Sequence, residues 1–140
     1  VFNLFGNERL TQWKQIRDNL EGEESPLNTV ASVWANAPFV SPFLNPRNPE
    51  SWPDPWHLVL DGKMDDLAIT LGMLYTIKLT QRFMATPCEI HMSMPVGKKD
   101  LEFYLVVDNR YVLNYEYGKV VDLDAVNRDS EIIWAGTALQ

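Results

Sequence analysis

KMDDLAITLGMLYTIKLTQ, residues 63–81, is the stretch whose reading decides the fold. Leu67, Leu71, Leu74 and Lys78 fall on one helical row, with Ala68, Tyr75 and Leu79 beside it, which is the spacing of an α-helix. Met64, Ile69, Met73 and Ile77 spread apolar surface round the remaining sides, so the segment predicts a central helix covered on more than one face. Asp65 and Asp66 lie near its amino end, where the helix dipole favours carboxylates. Asp61 or Gly62 is the expected start. Gly72 weakens a helix interior, and close approach of a neighbour is the expected reason for it.

Downstream, the apolar period changes from that of a helix to two. Ile90, Met92 and Met94 alternate with Glu89, His91 and Ser93, a strand that Pro95 is expected to end. A polar turn over Gly97-Lys98-Lys99-Asp100 leads to a second strand, residues 101–107, with Leu101, Phe103, Leu105 and Val107 on one face. Asp108-Asn109 suits a tight hairpin turn into Tyr111–Tyr115. Tyr117-Gly118-Lys119 marks another turn before Val120-Val121, and residues 131–135 read as a last strand. The predicted class is α+β: N-terminal helices and a central helix packed on an antiparallel sheet.

Upstream, Leu10, Trp13, Ile16 and Leu20 predict a first helix over 8–20, ended by Gly22 and the Glu23–Pro26 run. Val30, Val33 and Trp34 predict a shorter helix over 28–36, with Asn28 or Ser25 as its cap. Between residues 38 and 61 six prolines, from Pro38 to Pro55, break helices and central ladders. Phe39, Phe43, Leu44, Trp52, Trp56 and Leu58 carry too much apolar surface for a flexible linker. That segment is expected to be an ordered wrap held by aromatic anchors. The chain therefore reads as a single domain over 1–140: a helical part at 1–37, the wrap at 38–61, and the central helix and sheet at 62–135.

The composition suits a folded globule: 140 residues, 46% apolar and 22% charged, enough for a real core. A formal net charge of -7 repels phosphate backbones and makes nucleic acid an unlikely partner. The only local basic run is Lys98-Lys99. Cys88 is the single cysteine and has no partner for an internal disulfide. No apolar run reaches the roughly 18 residues of a membrane span, and the first five residues do not read as a signal peptide. Synthesis in a reducing cytoplasm is the expectation.

The usual catalytic constellations fail in turn. His57, His91 and Cys88 are too few and badly spaced for zinc, so no metal or cofactor is expected. Cys88 and His91 lie three apart in a strand and point to opposite faces, which leaves Cys88 an inert thiol. His57 reads as a loop residue tied to backbone. Asp65 and Asp66 diverge by about 100° on a helix and do not form a matched acid and base. No phosphate loop or dinucleotide fingerprint occurs. The five tryptophans supply core or partner contacts.

The order of elements resembles the transglutaminase-like branch of the papain-like cysteine-peptidase fold. The matching residues are Gly62-Lys63-Met64-Asp65-Asp66-Leu67-Ala68, running into Leu71 and Leu74, then the hairpin from Phe103 to Asn114; the likeness spans about residues 52–124. The resemblance implies a nucleophilic cysteine at the start of the central helix, then histidine and aspartate from the sheet. Those positions fall here on Met64, on Leu101 or Glu102, and on Asn114. A thioether cannot become a thiolate, so the resemblance implies a degenerate centre and no enzyme.

Ser51-Trp52-Pro53-Asp54-Pro55-Trp56, with Asp61-Gly62 and Asp65-Asp66-Leu67-Ala68, is also similar to small proteins of T4-like tailed bacteriophages, over residues 45–83. That likeness implies a structural protein of the virion, in the neck, tail or baseplate, repeated in several copies and touching other viral structural proteins. Trp52, Trp56, Phe39 and Phe43 are the expected interface residues. The alternatives are a cysteine-peptidase or transglutaminase-like enzyme, and a binding domain for a host protein or small ligand.

Overall fold

The computed structural model describes residues 1–39, 42–62, 64–94, 97, 100–126 and 129–138. Among these residues, four α-helices precede a five-stranded sheet: α1 (Gly6–Leu20), α2 (Pro26–Ala35), α3 (Pro55–Asp61), α4 (Asp66–Lys78), then β1 (Cys88–Ser93), β2 (Glu102–Val107), β3 (Tyr111–Leu113), β4 (Val120–Asp122) and β5 (Glu131–Gly136). The sheet runs β4-β3-β2-β1-β5, every pair antiparallel. The α+β arrangement read from the sequence is the one found. Pro95, Lys98, Lys99 and the expected helix position at Lys63 lie outside the described residues.

α4 is the centre. Every residue from Leu67 to Lys78 is buried, as expected of a helix that is apolar almost all round. It packs on β2 and touches β1 on one side, while α2 and α3 pack on its others and α1 packs on α3. Trp13 and Trp34, both fully buried, meet over Thr76: its Oγ1 accepts the indole N–H of Trp13 at 3.0 Å and of Trp34 at 2.8 Å, and donates to Gly72 O at 2.7 Å. Gly72 is there because the Trp34 ring occupies the space of a side chain; a Cβ would lie 2.3 Å from that ring. A second cluster, Tyr104, Val106, Val112 and Val126, fills the sheet's other face.

Several sequence expectations shift. α4 starts at Asp66 with Asp65 as its cap, whose side chain accepts Ala68 N–H at 2.7 Å. Asp61 and Gly62 belong instead to the end of α3, where Gly62 takes φ 70°, a left-handed cap that glycine adopts without strain. Arg9 also fills the space there, 2.3 Å from where a Gly62 Cβ would sit. The wrap at 38–61 is not without helix. Asp54 accepts the His57 N–H and Pro55 occupies the first turn of α3, a helix start in which proline is favoured. α2 likewise begins at Pro26, earlier than expected, and neither Ser25 nor Asn28 caps it through its side chain.

The hairpin at Asp108-Asn109 forms as expected. Both residues have φ 55°, the left-handed pair that a tight turn between twisted strands requires.

Candidate functional site

The start of α4 is where the helices, the wrap and the sheet meet. Asp65 is 3% exposed. One of its carboxylate oxygens caps α4; the other accepts Phe43 N–H at 2.8 Å and Leu44 N–H at 2.9 Å. This carboxylate therefore ties the wrap to the helix. Met64, just before it, is fully buried and bridges to Phe39 as a short parallel pair.

Asp66 faces the sheet. It accepts Phe103 N–H at 2.8 Å and the Asn114 amide at 3.1 Å. The same amide nitrogen reaches Thr70 Oγ1 at 2.9 Å and Phe103 O at 3.0 Å. Asn114 holds φ 66°, a conformation asparagine tolerates better than most residues. Burial raises the Asp66 pKa; the hydrogen bonds from Phe103 and Asn114 oppose that shift, and the charges of Glu102 and Asp65 add to it. Of the positions singled out by resemblance, Met64 directly precedes the helix cap, Asn114 bonds Asp66, and Glu102, next to the alternative Leu101, adds its charge to Asp66. Their groups there are a thioether, a carboxylate and an amide. The amide holds Phe103 O, and the three supply neither thiolate nor imidazole.

Cys88 lies at the other end of α4. Its thiol is buried and pushed up to about 11, first by desolvation, with Lys78 opposing. Lys78 is the last residue of α4, and a helix of 13 residues spans about 20 Å, so Cys88 is remote from Met64. Lys78 itself is 5% exposed; its ammonium donates to the carbonyls of Phe83, Met84, Thr86 and Thr137. His91 points to the opposite face of β1 from Cys88, where it meets Glu89 and Ser130. His57 is exposed and bonds Asp54 at 2.6 Å. Among the described residues, no group of three His, Cys, Asp or Glu side chains could hold a metal ion. No helix there is long and apolar enough to cross a membrane.

The expected interface residues spread over the wrap. Phe39, Phe43 and Trp56 are 64%, 48% and 45% exposed. Trp52 is half-buried against the core and donates its indole N–H to Asn45 O at 2.8 Å. Trp56 packs edge-on to Trp13 at 5.6 Å. Trp52 and Trp56 line a groove of about 870 Å³, together with Tyr75 and Trp134 and with Glu50 and Asp54 on the wrap side. Its far wall is the end of β5. β5 is the last strand of the sheet. Trp134 gave no sign of this placement in the sequence, because its partners lie about 80 residues earlier in the chain.

An α+β fold with a central helix set against an open antiparallel sheet, and a sheet hairpin brought to the helix start, is consistent with the architecture that the resemblance to the papain-like, transglutaminase-like fold implies. Among solved structures, the chain is similar to Legionella pneumophila LapG in its calcium-bound form: TM-score 0.66, 14% identity, covering 92% of this chain and 74% of that one. At that identity the likeness establishes the fold relationship alone. No family model and no curated protein matches the sequence.

Proposed function

We propose that this chain is a protein-binding domain that keeps the papain-like architecture without a working thiol centre. The observation that carries this reading is Met64, sealed from solvent one residue before the cap of α4. A thioether there has no proton to lose and no attacking sulfur to offer. The neighbouring carboxylates and amide are engaged in holding the wrap and the hairpin to the helix.

The groove between the wrap and β5 supports binding. Its aromatic walls suit apolar side chains, and β5 leaves one strand edge beside it. The occupant is an extended segment of a partner protein, laid along β5 by main-chain hydrogen bonds. Glu50 and Asp54 and the net charge of -7 favour a segment carrying lysine or arginine. Placement in a phage particle is the most specific form of this reading. It rests on the sequence resemblance over residues 45–83 and draws nothing from the fold. The second reading is a cysteine-peptidase or transglutaminase-like enzyme. The likeness to LapG favours it, and the missing nucleophile opposes it.

Selection of a random extended-peptide library on the immobilised chain tests the proposal. The expected peptides pair basic with aromatic or aliphatic residues. Glu50→Lys and Trp56→Ala should each weaken their binding, the tryptophan by about thirtyfold if it anchors the site, with the fold intact by circular dichroism. Failure to enrich any peptide, or binding indifferent to both substitutions, would sink it.

A further inference from the structure

The sheet face turned away from α4 carries a polar cluster that the groove and the helix start do not use. Glu89 and His91 alternate on β1 with the buried Cys88, Ile90 and Met92. His91 Nε2 lies 3.0 Å from Glu89 Oε1, and Nδ1 lies 2.9 Å from Ser130 Oγ. The Tyr104 hydroxyl donates to the same Ser130 oxygen at 2.8 Å, and its ring stacks on His91 at 5.0 Å and 17°.

Proton directions follow from the donor inventory. Where Glu89 is ionised and the His91 ring neutral, Nε2 donates to Glu89 and Nδ1 accepts the Ser130 hydroxyl proton. The result is a serine hydroxyl aimed at a base whose far side is held by a carboxylate, the arrangement that activates an oxygen nucleophile. Ser130 is half-buried rather than sealed. Beside it are Tyr115, 39% exposed and edge-on to Tyr104, and Ile132, 50% exposed and paired with His91 across β1 and β5.

We propose that Ser130 is a nucleophile toward activated esters with small apolar acyl groups, with His91 as its base, Glu89 as the orienting carboxylate and Tyr104 as the oxyanion donor. Ser130 Oγ bonds to the carbonyl carbon as its proton passes to His91 Nδ1. The carbonyl π pair moves onto oxygen, which takes the hydrogen bond of the Tyr104 hydroxyl. Collapse expels the alcohol oxygen, which leaves with the proton from Nδ1, and acyl-Ser130 remains. Water, deprotonated by the same nitrogen, attacks that ester, and release of the acid restores the serine. With a fluorophosphonate the leaving group is fluoride and the phosphonyl-serine persists.

Incubation of the full chain with a fluorophosphonate, followed by intact-mass and peptide analysis, tests this. One adduct at Ser130 is expected. Ser130→Ala abolishes it and Cys88→Ala leaves it. His91→Gln slows it about a hundredfold, within the range of general-base catalysis. Glu89→Gln also slows it, and carries the test should His91→Gln fail to fold. The proposal is overturned by no adduct, by an adduct elsewhere, or by an adduct at Ser130 whose rate ignores Glu89→Gln and His91→Gln.

Discussion

Thr76 joins the two buried tryptophans to the central helix through one hydroxyl oxygen. Thr76→Val keeps the shape and removes the acceptor of two indole N–H groups. Each buried donor left unsatisfied costs about 1–3 kcal/mol, so the variant should lose about 2–4 kcal/mol in urea unfolding with an unchanged slope. A loss well under 1 kcal/mol would mean the indoles find other partners. The tryptophans themselves were open between core and interface in the sequence, where aromatic residues serve both. Trp13 and Trp34 are core and Trp56 is largely exposed, a division made by neighbours distant in the chain. His91 was read correctly as pointing away from Cys88. Its tie to Ser130 was hidden, since 39 residues separate them and nothing local marks the pair.

At the scale of elements, α4 was the most legible because its apolar pattern is long and periodic. Its start was displaced because Asp61-Gly62 and Asp65 both look like helix boundaries. The structure uses the first as a stop and the second as a cap. α3 is hidden in the sequence because its prolines read as breakers, although Asp54-Pro55 is a cap followed by a first-turn proline. The strands were legible from alternation and from the turn at Asp108-Asn109; that β5 pairs with β1 was not.

The link between α4 and the hairpin carries a pH signature. Burial raises the Asp66 pKa, so the folded state holds its proton more firmly than the unfolded chain. The ionised carboxylate is then a penalty at neutral pH, and acidification through the folded pKa relieves it until the unfolded group also protonates, near the ordinary value of 3.8. Asp66→Asn cannot titrate. Urea unfolding at pH 7 and pH 4 should therefore show the wild type gaining on the variant as pH falls. A difference independent of pH, or the wild type losing ground to the variant as pH falls, would contradict the assignment.

At the scale of the whole molecule, three regions stand apart. The helix start is a structural junction, the groove between wrap and β5 is the proposed binding surface, and the outer sheet face carries the serine cluster. In the first, the sequence marks Met64, Leu101 or Glu102, and Asn114 only through a resemblance. It pointed to the wrap side of the second through Trp52 and Trp56. It left Trp134 and Ser130 unmarked, because grooves and clusters are made by folding together distant segments. The central proposal is that this fold has no working sulfur. Its most direct test is mass-spectrometric turnover of a peptide library by the native chain beside Cys88→Ser. No cleavage or amide-transfer product should differ between the two; a product made by the native chain and lost on that substitution would contradict the account.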